Sequence, residues 1–257
     1  MCEVTTLGAY GSRSSKGGSS AFLLDSSRVI DAGHLLDPLQ EQSCQIEEVW
    51  LTHSHLDHIV DIAYILDNYF QQRTKTLRLR GLPQTLHTLR QHFFNHEIWP
   101  DFSTIPLASG VMALSYEPIE LHQCYTIGEG RTIEAYPTDH TVPSCGYILT
   151  HANRTLLLTA DTYALASTLA MCEANPTLTA LVVECSFPSA MEALAFASKH
   201  LTPKLLFEGL RPLEGRGLTL YINHLKPAYE SQLRQEIAQM AGGWSPIVLH
   251  DGDCIVF

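Results

Sequence analysis

Three histidines and two aspartates fall within nine positions, His53, His55, Asp57, His58 and Asp61, in the stretch WLTHSHLDHIVDI at residues 50 to 62. Imidazole and carboxylate are the donors that borderline divalent metals take. A polar loop between two apolar flanks rarely produces the order H-x-H-x-D-H. His53 and His55, two residues apart in an extended turn, can point the same way, while Asp57 and His58 begin a helix and face a second ion. Two zinc ions need roughly seven or eight protein contacts, with positions left open for water and substrate. The stretch supplies four, and two metals roughly 3.5–4 Å apart suit hydrolysis.

The missing donors should stand at the ends of later strands, where separate segments converge. His140 in YPTDHT, Asp161 in LLLTADT and His224 in LYINHLKP each follow an apolar run and open a turn. Alone, His224 reads as a structural histidine and Asp161 as a helix cap. With four donors already assembled upstream, both read as ligands.

Periodicity identifies the elements that must carry these donors. CEVTTLG, AFLLD and RVIDAG are strand-like, the first two joined by a Gly/Ser-rich loop from Gly11 to Ser20, and Val49 to Thr52 runs straight into the cluster. Ile59, Ile62, Ala63, Leu66 and Phe70 recur at helical spacing, so the cluster occupies a strand-to-helix turn. A second helix is expected from about Pro83 to His96, before the break at Pro100. RTIEAYPTDH, GYILTHANRTLLLTADT and TALVVECSFP then read as short apolar strand runs with turns, each ending in a ligand-type residue, PSAMEALAFASKH and PAYESQLRQEIAQMAGG as helices, and LTLYINH as a strand. PIVLHDGDCIVF reads as a last hairpin turning at Asp-Gly. The Gly/Ser loop lacks the G-x-x-x-x-G-K-[ST] spacing of a phosphate cradle and reads as a turn bordering the site. The order β-rich, helix, β-rich, helix predicts one α/β domain over residues 1 to 257, a four-layer αββα sandwich with helices outside two facing sheets.

Composition narrows the partners. With 257 residues, 45% of them hydrophobic, the chain can bury a substantial core. Sixteen Lys and Arg against 27 Asp and Glu leave a formal charge of −11, without a long basic run, which argues against a grip on long nucleic acid and for a small ligand. No apolar run approaches a membrane span and the first residues lack a secretory pattern, so the expectation is no membrane partner and a cytoplasmic location. Seven scattered cysteines without C-x-x-C read as reduced, mostly buried thiols.

H-x-H-x-D-H followed by a His, an Asp and a final His in that order resembles the metallo-β-lactamase superfamily. Within it, the segments HSHLDHI, HFFNHEIWPDF, ECSFP, HLTPKLL and YINHLKP resemble, in the same order, those of the class II 3′,5′-cyclic-nucleotide phosphodiesterases. The resemblance implies a metallo-β-lactamase-type sandwich that opens cAMP or cGMP to the 5′-monophosphate. It further implies two Zn²⁺, with Mn²⁺ or Fe²⁺ as alternatives. His53, His55 and His140 would hold one ion and Asp57, His58 and His224 the other, with Asp161 and a hydroxide bridging. It also admits a homodimer. Two such cations would let an anionic phosphodiester dock despite the −11. One departure stands out: Asp61 occupies a position where the family usually carries a small residue, one helical turn from Asp57. It reads either as a solvent-facing helix residue or as a change that bears on substrate preference.

A 3′ alkoxide is a poor leaving group, so a general acid is expected. Similarity to the ribonuclease Z branch, where a His-x-Thr histidine is oriented by a carboxylate, suggests His200 held by Glu184, and these join Asp57 in the catalytic set. The alternative for His200 is a helix-end cap. Asp31 in VIDAG is placed to orient a ligand histidine. Phe94, Asn95, Trp99 and Phe102 could form an aromatic wall for a nucleobase, or equally the core contacts of their helix. The rival functions are a nuclease or 2′,3′-cyclic phosphodiesterase of the same fold, and a non-catalytic cyclic-nucleotide sensor, which loss of ligands would have marked.

Overall fold

The computed structural model describes residues 3–257. Its strands are β1 (Glu3–Gly8), β2 (Ala21–Asp25), β3 (Arg28–Ile30), β4 (Glu48–Trp50), β5 (Leu77–Gly81), β6 (Leu114–Pro118), β7 (Cys124–Thr126), β8 (Arg131–Pro137), β9 (Cys145–His151), β10 (Arg154–Leu158), β11 (Leu178–Glu184), β12 (Thr219–Asn223), β13 (Ile247–Val248) and β14 (Cys254–Val256). Its α-helices are α1 (Leu36–Leu39), α2 (Leu56–Asn68), α3 (Pro83–His92), α4 (Ala166–Ala174), α5 (Glu192–Ser198), α6 (Pro203–Leu210) and α7 (Glu230–Met240). The expected first strand starts at Cys2, which lies outside the described residues.

The strands form two seven-stranded sheets, ordered β14-β1-β2-β3-β4-β5-β6 and β13-β12-β11-β10-β9-β8-β7. Each opens as an antiparallel meander and then turns parallel, from β3 in the first sheet and from β10 in the second. Parallel neighbours need a crossover, and the helices supply it. Thus α2 and α3 serve the first sheet, while α4, the α5–α6 pair and α7 serve the second. Side-chain alternation sorts the faces. Val29 and Val49 pack with Ile62 and Leu66 of α2, whereas Ile30 and Trp50, the next residue in each case, enter the core shared with Tyr147 and Leu157 of the second sheet. The expected four-layer α/β sandwich is therefore present. Among the described residues no helix is long and apolar enough to cross a membrane, and the six described cysteines are free, with Cys145, Cys172 and Cys185 buried.

Three local expectations need correction. The terminal segment is no hairpin: β13 pairs in parallel with β12, whereas β14 pairs with β1 in the other sheet. Gly252, at φ 90°, makes the turn, and its N–H bonds to Thr6 O while Asp253 O accepts from Thr6 N. The Asp-Gly step thus carries the chain from one sheet to the other. The second helix stops at His92 rather than His96, because Phe93 and Phe94 both return their N–H to Leu89 O and Asn95 then closes a tight loop. Finally, β5, β6, β7, α1, α4 and α6 have no counterpart in the periodicity reading.

Candidate active site

The expected donors all follow the C-terminal ends of strands. Asp31 follows β3, His53 follows β4, His140 lies beyond β8, Asp161 beyond β10 and His224 directly after β12, while Glu184 ends β11. The first turn of α2 adds Asp57 and His58. The edges of both sheets therefore deliver side chains to one place.

There the ligand atoms converge in three overlapping groups: His53, His55, His140 and Asp161; Asp57, His58 and His224; and Asp161, His200 and His224. In the first, His55 Nδ1 lies 3.1 Å from both His53 Nε2 and His140 Nε2, and Asp161 Oδ2 lies 3.7 and 3.8 Å from those two nitrogens. In the second, His224 Nε2 is 3.6 Å from Asp57 Oδ2. Asp161 reaches this group too, with Oδ2 3.3 Å from His58 Nε2 and Oδ1 3.2 Å from His224 Nε2. Donors around one tetrahedral ion at 2.0–2.1 Å stand about 3.3–3.4 Å apart. The spacings bracket that value, and the carboxylate between the groups is the expected one, Asp161.

The far side of each ring shows the same intention. His58 Nδ1 donates to Asp31 Oδ2 at 2.7 Å, His140 Nδ1 to Lys199 O at 3.0 Å, His224 Nδ1 to Ser186 Oγ at 2.9 Å and His53 Nδ1 to Thr52 Oγ1 at 2.9 Å. Thr52 Oγ1 in turn donates to Asp31. Such contacts fix the tautomer that turns Nε2 inward. His58 Nε2, His224 Nε2 and Asp161 Oδ1 are buried with no hydrogen-bond partner, an arrangement that costs free energy unless a cation completes it. The donor set therefore fits divalent metal. Burial holds His53 and His55 below the ordinary imidazole range and pushes His140 down to about 4, so these rings are neutral, as ligands must be. Burial opposes charge at Asp57 and Asp161 as well, but His58 and His224 outweigh it and keep both carboxylates ionised.

His200 stands beside this cluster, its ring centroid 5.1 Å from that of His140 and 5.3 Å from that of His224. Its Nδ1 donates to Glu184 Oε1 at 2.8 Å. Burial disfavours its charged form, but Glu184 prevails and raises its pKa. The helix-cap alternative is not what the ring does: Nδ1 goes to Glu184, and the end of α5 is closed by backbone alone, with Lys199 as its cap and His200 N donating to Ala195 O. Four residues went unrecognised in the sequence: Thr52 and Lys226, and with them Ser186 and Lys199. Ser186, inside ECSFP, joins Glu184 to His224. Lys199, in left-handed backbone at φ 57°, delivers its carbonyl to His140 while its Nζ grips both oxygens of Asp139 at 3.2 and 3.1 Å. A hydroxyl beside a ligand segment was a signal for Ser186; a backbone carbonyl leaves none.

The Gly/Ser loop borders the site as expected. A Cβ on Gly11 would come within 2.6 Å of His224 Nδ1, and Lys226 Nζ bridges Gly11 O at 2.5 Å toward Asp57 Oδ2 at 3.9 Å. The aromatic wall is a different matter. Phe94 and Phe102 are core residues, 0% and 4% exposed, packed with the α2 and α3 side chains. Trp99 leans on Tyr64, and Asn95 spends its amide on Gln91 O and the Glu97 and Ile98 N–H groups. Asp61 is no surface residue either. Fully buried, it accepts from Leu35 N and Leu36 N at 2.6 and 3.1 Å and pairs with Arg13 at 2.7 Å, away from the metal donors. An open groove of about 720 Å³ does adjoin His140, between the start of α3, the segment after β6 and the loop from Thr138 to Ser144.

Two sheets that converge on such a cluster are the arrangement of the metallo-β-lactamase fold. Solved structures agree: unliganded yeast PDE1 superposes with a TM-score of 0.80 at 19% identity over 98% of each chain. The metallo-β-lactamase fold protein YhfI from Bacillus subtilis gives 0.75 at 19% identity over 98% of each chain. The family model described as cAMP phosphodiesterases class-II matches residues 25–142, a stretch that contains His53, His55, Asp57, His58 and His140. A probable 3′,5′-cyclic-nucleotide phosphodiesterase of Yersinia pestis is 23% identical over 235 residues, 79% of this chain and 67% of that protein. The chain is thus similar to class-II cAMP phosphodiesterases over the segment that carries these five candidate ligands, in keeping with the resemblance read from the sequence.

Proposed function

We propose that the chain hydrolyses 3′,5′-cyclic nucleotides, cAMP or cGMP, to nucleoside 5′-monophosphates, using two divalent ions, Zn²⁺ in the first instance. The observation that carries this reading is the pair of ligand groups that Asp161 adjoins, with buried, unpartnered atoms on His58, His224 and Asp161. His53, His55 and His140 would hold one ion, and Asp57, His58 and His224 the other. When bound, such a pair lowers the pKa of a shared water so that hydroxide is available at neutral pH, and it neutralises the phosphodiester.

The chain's own residues do the rest. Asp31, Thr52, Lys199 and Ser186 orient the imidazoles. Glu184 occupies His200 Nδ1, leaving Nε2 to pass a proton to O3′ as the P–O3′ bond breaks and the attacking oxygen stays on phosphorus. Lys226, beside Asp57, offers a cation to the phosphoryl oxygens. We assign this chemistry to small soluble nucleotides in the cytoplasm.

The test is to incubate metal-loaded protein with cAMP, cGMP, 2′,3′-cyclic AMP and a single-stranded oligonucleotide, and to separate the products. The 3′,5′-cyclic substrates should yield 5′-monophosphates, chelation should abolish turnover, and elemental analysis should give about two ions per chain. Turnover confined to the 2′,3′-cyclic compound or the oligonucleotide would replace this reading with one of its rivals. Tight binding without turnover would make the chain a sensor.

A further inference from the structure

The groove beside His140 has a charge pattern that distinguishes it from the opposite rim of the site. Its lining contains no lysine and no arginine. It does contain two carboxylates. That of Asp139 is gripped by Lys199, whereas Glu120 is exposed and has no ion pair or side-chain hydrogen bond among the described residues. Across the cluster the cation is Lys226, beside Asp57. The apolar part of the groove is formed by Leu82, Pro83, Ile119, Leu121, Val142 and Pro143, with Leu121 38% exposed.

We infer that this groove receives the nucleoside of the substrate and that Glu120 makes it reject any second phosphate. The inference rests on the phosphodiesterase reading above and adds to it a substrate class: diesters whose only phosphate is the one at the metal cluster. A polynucleotide strand continues from the scissile phosphate with one negative charge per nucleotide, and a groove that offers an unpaired carboxylate and no cation repels the next one. A cyclic nucleotide brings only an uncharged ribose and base. Apolar walls with a few polar groups at the rim suit that cargo. Gln84, exposed at the start of α3 with its side-chain amide unpaired among the described residues, is the group placed to read the base edge.

The experiment uses metal-loaded enzyme with bis(p-nitrophenyl) phosphate as the reporter, and measures inhibition by adenosine 5′-monophosphate and by adenosine 3′,5′-bisphosphate. In the unaltered protein the bisphosphate should inhibit no better than the monophosphate, despite its extra charge. Glu120→Lys should shift the ratio of the two inhibition constants toward the bisphosphate by about tenfold at low ionic strength, an effect that shrinks as salt is added. Leu121→Trp, which fills the groove, should weaken inhibition by the monophosphate by about tenfold relative to inorganic phosphate, with metal content retained. An unchanged ratio in Glu120→Lys, or equal weakening of nucleotide and inorganic phosphate in Leu121→Trp, would overturn the inference even if cyclic nucleotides are hydrolysed. A protein that cleaves the reporter but no cyclic nucleotide would overturn the functional reading, and the inhibition ratios would still decide the groove.

Discussion

The two candidate ligand groups proposed to hold metal use the same kinds of donor but are held from behind in different ways. Behind His53, His55 and His140 stand neutral acceptors: the Thr52 hydroxyl, the Thr141 hydroxyl at 3.5 Å and the Lys199 carbonyl. Behind the other group one ring meets a charge directly: His58 rests on the Asp31 carboxylate, while His224 rests on the Ser186 hydroxyl, which donates to Glu184 as Thr52 does to Asp31, and Asp57 lies near Lys226. A carboxylate behind an imidazole raises its basicity and so the affinity of the ion it faces. The Asp57 group should therefore hold metal more tightly, and a graded chelator should remove the ion at His53, His55 and His140 first.

The largest effect should come from the residue that both groups share. Asp161→Asn removes the only carboxylate of the His53, His55 and His140 group and one of the two that reach the Asp57 group, and metal content and activity should fall together to the level of the chelated protein, as read by elemental analysis and turnover. Retention of one tightly held ion in this variant would show that Asp161 belongs to one group alone, and the comparison would then have to be redrawn around two independent sites.

Next comes His200, which serves neither group as a ligand in this reading. His200→Ala should lose about 10² to 10⁴ in rate on a cyclic nucleotide, yet lose much less on an aryl diester whose phenolate leaves without a proton. Equal losses on both substrates, with lower metal content, would move His200 into the ligand set instead. Its closeness to Asp161 and His224 makes this a real alternative to exclude.

The third contrast lies between the ligand segments and the expected aromatic wall, and it shows what a sequence can convey. His53 to His58 were legible because a strand end and a helix start fix their directions, and His140, Asp161 and His224 because each closes an apolar strand. The two-sheet order was legible from the same alternation. Phe94 and Phe102 were not, since an aromatic residue that could stack on a base is equally suited to a core, and the earlier end of α3 turns both inward. The Asp-Gly step near the C-terminus was misread for a related reason: left-handed backbone at glycine permits a hairpin and a change of sheet alike. Phe94→Ala should accordingly cost about 3–5 kcal/mol of stability in denaturant titration. Trp99→Ala, at a partly exposed ring, should cost less and leave KM for cyclic nucleotides unchanged. A raised KM in Trp99→Ala with a stable fold would restore that face to the substrate site.

A smaller effect should separate the two groups directly. Asp31→Asn keeps an acceptor for His58 Nδ1 but removes the charge, and affinity for the ion facing Asp57 and His58 should drop about 10- to 100-fold, making the two ions leave together on chelation. If the order of release is unchanged, the charged backing is not what distinguishes the groups.

The smallest effect is expected at the Arg13–Asp61 pair, where the sequence departs from the family pattern. Asp61 is buried and satisfies two backbone N–H groups ahead of α1, so Asp61→Ala leaves those donors unpaired and should cost about 1–3 kcal/mol. Arg13 is different: its side chain is 43% exposed, and removing it leaves the Asp61 carboxylate with both N–H partners. Arg13→Ala should thus change stability by less than about 1 kcal/mol. Its interest lies in the loop it anchors, because Gly11 of that loop abuts His224, a member of the Asp57 group. If Arg13→Ala selectively weakens the more tightly held ion while thermal stability is kept, the Gly/Ser loop helps to orient His224. If both ions are held as before, the pair at residues 13 and 61 serves the fold alone, and the departure at Asp61 has no bearing on which substrate the enzyme takes.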